Sequence, residues 1–190
     1  MNMLEAMDQG AVHALRHTLL PWTKQVFVDL SYLGDPYVVA GLTLFAAGAL
    51  AGWRRGKQAI LLLCTVAVAF GLTYGGKALV NRQRPNVLDW SPLPTPPTPS
   101  FPSEHALTAT ALYGTLALLL RRQTTRPAPR FWLVIGGFEL PFLAGLMALL
   151  LGLNYVTDVV AGWAGGAALA FAAAWIDELT ARAPAGVTPS

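Results

Sequence analysis

Two groups of polar residues flank one proline-rich segment between two apolar stretches, and both groups contain side chains suited to phosphate chemistry. The first group is Lys77 with Arg84 and Pro85, and the second is Pro102-Ser103-Glu104-His105. Lysine and arginine bind phosphate oxygens, and a nearby histidine can donate a proton to a leaving group. The pattern predicts a phosphate-binding site.

The composition indicates that this site belongs to a membrane domain. The chain has 190 residues, of which 54% are hydrophobic and 12% are charged. Soluble proteins carry about 25% charged residues. The net charge is +3, and the basic residues are clustered. We expect no nucleic-acid partner. Cys64 is the only cysteine, which excludes an intramolecular disulfide.

The apolar stretches predict an all-α, polytopic bundle of transmembrane helices. A helix that crosses the hydrocarbon core needs roughly 20 mainly apolar residues. We predict five spans, near Pro36–Trp53, Ala59–Val80, Ala106–Leu120, Phe131–Leu151 and Tyr155–Ile176.

Two basic connections orient these spans. They are Arg54 to Lys57 and Arg121 to Arg130, and the positive-inside rule assigns both to the cytoplasm. The segment from Asn81 to Glu104 and the turn from Gly152 to Asn154 then share the external face. We expect an integral protein of a bacterial inner (plasma) membrane, with the site facing the periplasm or exterior.

The two ends of the chain are more polar than the spans. Residues 1–34 combine Arg16, Lys24 and Asp29 with leucines and valines, which favours an interfacial helical segment. A sixth span with charges that reach the interface is the alternative. We predict the membrane domain at residues 35–178 and a flexible tail at residues 179–190.

The two polar groups are expected to meet at one anion. If the second span continues as a helix to Arg84, the seven-residue spacing places Lys77 and Arg84 on one face, with Arg82 as a third candidate cation. Ser103 is a good helix N-cap, and His105 then starts the next helix. Helix N-termini attract anions. The alternative is that the cations only reach toward lipid headgroups.

These residues resemble a known family. The pattern Lys, six residues, Arg-Pro, followed by Ser-Phe-Pro-Ser-Glu-His at residues 100–105, is similar to the first two signatures of the type-2 phosphatidic acid phosphatases, which are membrane lipid phosphatases. The resemblance implies that Lys77, Arg84 and Ser103 bind phosphate and that His105 protonates the leaving group. Glu104 stands beside them, where many members have glycine and some have an acid. Metal-free chemistry is implied, and we expect no cofactor.

The third signature of that family departs here from its pattern. In the family it reads Ser-Arg, five residues, His, three residues, Asp, where the histidine is the nucleophile and the aspartate orients it. Asp158 is in place, but Asn154 stands at the nucleophile position and Met147-Ala148 at the Ser-Arg pair. An amide nitrogen is essentially non-basic, so Asn154 cannot form a phospho-enzyme. Asn154 is either an engineered substitution or natural divergence, and the second change at Ala148 favours divergence.

Three functions follow from these departures. In the first, the protein binds a phosphorylated lipid, such as a prenyl phosphate, a prenyl diphosphate or phosphatidate, and hydrolysis by the family route is lost or weak. In the second, it is a phosphatase or phosphotransferase that uses His105 by a changed mechanism. In the third, it is a non-catalytic partner or scaffold subunit. A partner membrane protein or a homodimer is compatible with each.

Glu139 is a further candidate polar site, near the middle of the fourth predicted span. An ionised group at this depth costs at least about 3 kcal/mol. Glu139 either lines a polar path or headgroup cavity, or is a neutral carboxyl group bonded to backbone freed by Pro141.

Overall fold

The computed structural model describes residues 3–18, 23–85 and 96–182, and within these ranges the chain is helical and contains no strand. The helices are α1 (Met3–Thr18), α2 (Thr23–Ser31), α3 (Pro36–Gly52), α4 (Gly56–Val80), α5 (Glu104–Ala109), α6 (Thr115–Arg121), α7 (Pro127–Leu150) and α8 (Val156–Arg182). A short 3-10 turn at Tyr32–Gly34 precedes α3, and a wider π turn at Thr110–Gly114 joins α5 to α6.

Three of these helices, α4, α7 and α8, are each long and apolar enough to cross a membrane. A fourth crossing is obtained if Gln25–Gly34 and α3, which meet at a bend of 48°, are taken as one span. The all-helical membrane fold is therefore confirmed. The prediction of five or six spans remains open, because it requires the 17-residue α3 and the α5–α6 stretch to cross separately.

Helix starts follow local sequence signals. The carboxylate of Asp35 caps α3 by accepting hydrogen bonds from the backbone N–H groups of Tyr37 (2.9 Å) and Val38 (3.2 Å). Ser103 caps α5 as predicted, since its Oγ accepts from the N–H of Ala106 at 3.4 Å. Such caps satisfy N–H groups that have no partner inside the helix.

Close packing of α5 against α8 brings the second and third signatures together. Gly162 and Gly166 on α8 make this contact possible: a Cβ atom on Gly162 would lie 2.9 Å from the carbonyl oxygen of Ser103, and one on Gly166 would lie 2.6 Å from that of Leu107. Because backbone atoms cannot move aside as a flexible side chain can, the contact requires small residues on α8.

The predicted N-terminal segment contains two helices, α1 and α2, and both pack on the bundle. Val12 of α1 belongs to an apolar cluster with Ala106 and Val159. Val28 of α2 packs with Ala148 in another cluster. Whether these helices lie in the membrane interface remains a prediction. The tail was predicted to begin at residue 179, but residues 179–182 belong to α8 because the helix continues to Arg182, and residues 183–190 lie outside the described residues.

Candidate phosphate site

The helix that carries Lys77 does not continue to Arg84, which corrects the expectation from the sequence. α4 ends at Val80, and Asn81 adopts a left-handed backbone conformation with φ of 47° while its N–H bonds to the carbonyl of Lys77 at 3.0 Å. Asparagine tolerates this conformation better than most residues. Lys77 and Arg84 therefore do not share a helix face.

The two cations nevertheless converge on one residue of the loop before α5. The Nζ of Lys77 donates to the Oγ1 of Thr98 at 3.3 Å, and an Nη of Arg84 donates to the same oxygen at 3.1 Å. Arg84 also donates to the backbone carbonyls of Thr98 (2.8 Å) and Leu153. The loop, rather than a continuous helix, brings the two cations together.

Burial sets the electrostatics of Arg84. Removal from water lowers the pKa of its guanidinium, while the negative charges of Glu104 and Asp158 act in the opposite direction. Because the guanidinium stays protonated even so, Arg84 offers a permanent positive charge in a poorly hydrated place. Such a charge interacts strongly with an anion.

The carboxylate of Glu104 is the partner of the Lys77 ammonium group. The two form an ion pair of 3.2 Å, with only 4% of the lysine side chain and 12% of the glutamate side chain exposed. The other carboxylate oxygen of Glu104 accepts a hydrogen bond from the hydroxyl of Tyr74 at 2.9 Å. An anion that binds Lys77 has to share it with this carboxylate or displace it.

Ser103 and His105 differ in their surroundings. Ser103 is fully buried, and besides capping α5 it donates its N–H to the carbonyl of Asp158 at 3.0 Å. His105 is partly buried, and its backbone and Cβ lie against Gly34, where an added Cβ would be 3.0 Å away. Ser103 thus links the second signature to the third.

Asn154 lies next to Ser103, and both ends of its amide are bonded. Its Nδ2 donates to the carbonyl of Ser100 at 2.7 Å, and its Oδ1 accepts from the Oγ of Ser103 at 3.2 Å. The residue is 2% exposed. The amide therefore ties the loop, α5 and the start of α8 together and offers no basic nitrogen for attack on phosphorus.

Ala148 is completely buried in an apolar cluster. Its neighbours there are Val28 of α2 together with Leu151 and Leu153, and Phe27 packs at the edge. The position at which the resemblance implies an arginine therefore holds a buried alanine that packs among apolar side chains.

Arg82, the third candidate cation, pairs with two carboxylates of the protein itself. It donates to the Oδ1 of Asp158 at 2.7 Å and to Asp8 at 2.8 Å, and its guanidinium lies 4.0 Å from the ring centroid of Tyr155. Burial opposes the charge, but hydrogen bonds and attraction to both aspartates raise the pKa of Arg82 overall. The other oxygen of Asp158 accepts from the N–H of Tyr155 at 2.9 Å.

Asp8 also belongs to this region, and no motif or spacing in the sequence indicated it. It accepts hydrogen bonds from the N–H of Thr157 at 3.2 Å, from the hydroxyl of Thr157 and from Arg82. Burial acts to raise the pKa of Asp8, but these hydrogen bonds lower it on balance. α1 is thereby fastened beside the third signature. Glu139 is exposed on α7 and forms no hydrogen bond with these residues.

Fold and site together define the class, an all-helical membrane protein in which two cations, Lys77 and Arg84, meet beside the capped start of α5. Within that class, residues 58–180 match the family model described as the PAP2 superfamily, and the chain belongs to this family.

Similar proteins come from several bacteria. The chain is 24% identical to phosphatidylglycerophosphatase B of Bacillus subtilis over 95% of this chain and 88% of that protein. It is 36% identical to decaprenylphosphoryl-5-phosphoribose phosphatase of Mycobacterium tuberculosis over 73% of this chain and 71% of that protein.

Two crystal structures share the fold. The first is a transmembrane PAP2-type phosphatidylglycerolphosphate phosphatase from Bacillus subtilis, with a TM-score of 0.87 and 24% identity, covering 96% of this chain and 90% of that one. The second is LpxE of Aquifex aeolicus, with a TM-score of 0.68 and 22% identity, covering 88% of this chain and 94% of that one.

Proposed function

We propose that this protein binds the phosphate group of a membrane lipid and does not hydrolyse it through a phospho-histidine. The observation that carries the proposal is the pairing of an intact cation pair, Lys77 and Arg84 around Thr98, with a buried amide at Asn154. The cations supply affinity for phosphate oxygens. The amide supplies no nucleophile, and Asp158, which would orient one, is bonded to Arg82 instead.

The ligand class follows from the fold and the relatives. Similar proteins are named for phosphatases of phosphatidylglycerophosphate and of a decaprenyl-linked phosphoribose. A prenyl phosphate, a prenyl diphosphate or phosphatidate therefore fits best. Ser103 completes the binding group, because the N–H groups at the start of α5 favour an anion.

The proposed setting is a bacterial inner membrane with five spans and the site on the external side. The spans are α3, α4, the α5–α6 stretch, α7 and α8. They form a membrane domain that begins at residue 35 and is preceded by an interfacial segment at residues 1–34. The basic connections at Arg54 to Lys57 and Arg121 to Arg130 support this orientation.

The test measures hydrolysis and binding on the same detergent-purified protein. Phosphate release from phosphatidate, prenyl phosphate and prenyl diphosphate should stay at background, while each lipid is titrated for binding. The double variant Lys77→Ala with Arg84→Ala should weaken binding at least tenfold. The control, Arg126→Ala with Arg130→Ala, removes two exposed cations at the other end of the bundle and should leave binding unchanged.

Two results would overturn the proposal in different ways. Phosphate release that disappears in His105→Ala would identify a working phosphatase with a changed mechanism. Binding that is unaffected by loss of Lys77 and Arg84 would instead indicate a scaffold that inherited the motif.

Restoring the family residues separates these cases further. Asn154→His should not by itself give efficient hydrolysis, because Asp158 is engaged by Arg82 and the arginine of the third signature is missing. Ala148→Arg should reduce folding yield, since it buries a guanidinium among Val28, Leu151 and Leu153. Efficient turnover by Asn154→His alone would show that only the nucleophile is absent.

A further inference from the structure

Glu139 is an ionisable residue on the outer surface of a membrane-spanning helix. It lies 12 residues after the start of α7 at Pro127 and 11 before its end at Leu150, which places it about 16–18 Å from either end at 1.5 Å per residue. Its side chain is exposed and forms no hydrogen bond or ion pair with any residue the structure describes. A carboxyl group at this depth calls for a polar partner.

The surface around Glu139 has the pattern of a helix–helix contact. Trp132, Gly136, Glu139 and Leu143 are spaced by four, three and four residues, which aligns them along one face in the manner of a seam between two helices. We call these four residues the α7 seam. A Cβ atom on Gly136 would meet nothing within 4 Å, and 66% of Trp132 is exposed. The seam is therefore open to a neighbour.

A groove beside the seam extends this surface. It lies between α6 and α7, has a volume of about 230 Å³, and is lined by apolar side chains that include Leu116 and Leu140. Trp132 and Gly136 belong to both the groove and the seam. Apolar side chains of a neighbouring helix can fill such a groove while a polar group pairs with Glu139.

We propose that a second copy of this chain packs on the α7 seam, with Glu139 of each copy paired across a two-fold axis. At a two-fold axis a residue meets its own equivalent, so the partner group arrives at the correct depth without any other component. A neutral carboxyl group has one donor and one acceptor, and two of them satisfy each other. Glu139 is the only ionisable residue of the seam.

Cysteine cross-linking in reconstituted liposomes tests the proposal. The background is Cys64→Ala, which removes the single native cysteine. Gly136→Cys should give oxidised dimers, whereas Gly48→Cys, an exposed glycine on α3 whose Cβ is equally unhindered, should not. Adding Glu139→Leu to Gly136→Cys should reduce cross-linking at least tenfold. Adding Glu139→Gln should preserve most of it, since an amide also donates and accepts.

Energy transfer gives a second measurement that does not depend on disulfide geometry. Protein labelled at Gly48→Cys with donor and acceptor dyes should show transfer that persists on dilution with lipid and is lost in Glu139→Leu. Transfer equal in both forms, or cross-linking equal at Gly136→Cys and Gly48→Cys, would overturn the proposal. The proposal would also be overturned if the protein were a monomer and its α7 seam cross-linked only to a different protein in native membranes.

Discussion

Two side chains, Asn154 and Glu104, decide at the residue scale what this site can do. Asn154 has no basic nitrogen at the position where the family has its nucleophile, and its amide holds the site together by bonding to Ser100 and Ser103. Glu104 places a carboxylate on the ammonium of Lys77, as an anionic ligand would. Glu104 therefore neutralises the ammonium group of Lys77, and under the proposed function an incoming phosphate group competes with Glu104 for it.

Replacing Glu104 with glutamine should make this exchange easier. We expect Glu104→Gln to bind phosphorylated lipid at least about fivefold more tightly, or roughly 1 kcal/mol, because a competing charge is removed. The ligand-free variant should unfold at lower temperature, since Lys77 is buried and loses its counter-ion. Thermal unfolding with and without lipid measures both effects.

A second glutamate provides the control for this experiment. Glu178 pairs with Arg182 at the surface, where 42% of its side chain is exposed. Such exposed ion pairs contribute little to stability, so Glu178→Gln should change neither the affinity for lipid nor the unfolding temperature. Weaker lipid binding by Glu104→Gln would mean that Glu104 supports the ligand and does not compete with it.

At the scale of elements, the contact between α5 and α8 holds the second and third signatures next to each other. Gly166 lies where an added Cβ would be 2.6 Å from the backbone carbonyl of Leu107. Gly166→Ala should therefore separate the helices and destabilise the protein by about 1–3 kcal/mol, which lowers the unfolding midpoint by roughly 2–4 °C per kcal/mol.

The neighbouring glycine is a matched control on the same helix. A Cβ on Gly165 would meet only the side chain of Leu107, at 3.5 Å, an ordinary contact. Gly165→Ala should be neutral or slightly stabilising, because alanine is the better helix former. Equal losses in the two variants would show that helix propensity, and not the α5–α8 contact, explains the effect.

The docking of α1 through Asp8 predicts a dependence on pH. The pKa of Asp8 in the folded protein lies below its ordinary value of 3.8. The stabilisation that Asp8 gives to the docked α1 is therefore fully present above pH 3.8 and is lost as the pH falls through the folded pKa. A spin label at Gly10→Cys in the Cys64→Ala background should report greater mobility of α1 in acid. Asp8→Asn should give high mobility already at neutral pH.

Asp29 is the control for this measurement. It is exposed on α2 and accepts a hydrogen bond only from nearby Gln25, at 2.9 Å, among the described residues. Asp29→Asn should leave the label at residue 10 as immobile as in the unchanged protein. A label that stays immobile in Asp8→Asn would show that apolar contacts of Val12 are sufficient to hold α1.

At the scale of the whole molecule, what the sequence could predict depends on how local each signal is. The cap at Ser103 and the pairing of Lys77 and Arg84 with one site follow from short motifs, and the structure brings those residues together. α4 ends at Val80, as the predicted span does, but the assumed continuation of this helix to Arg84 was wrong, because hydropathy does not reveal a left-handed Asn81. Asp8 and Thr157 are 149 positions apart, and no local pattern predicts such a contact.

Membrane topology is the remaining property of the whole molecule that the fold constrains. α4, α7 and α8 are apolar enough to cross by themselves. Two further crossings are open, by α3 and by the α5–α6 stretch, and the second decides the side on which Thr125 lies. If the α5–α6 stretch crosses, Thr125 lies on the same side of the membrane as Lys57. If it does not, Thr125 shares the side of Gln83.

Single cysteines at these three exposed positions distinguish the two arrangements. In the Cys64→Ala background, a membrane-impermeant maleimide applied to intact bacterial cells should label Gln83→Cys, which lies next to Arg84. Lys57→Cys and Thr125→Cys should be labelled only after the membrane is permeabilised, because basic connections stay in the cytoplasm. Labelling of Thr125→Cys in intact cells would rule out a crossing by α5 and α6. It would also mean that α7 and α8 run in the opposite directions, which would place Asn154 and Lys77 on different sides of the membrane. The contacts that join Asn154 to Ser103 and Arg84 to Leu153 cannot coexist with that arrangement, so the labelling pattern tests the assembled site as well as the topology.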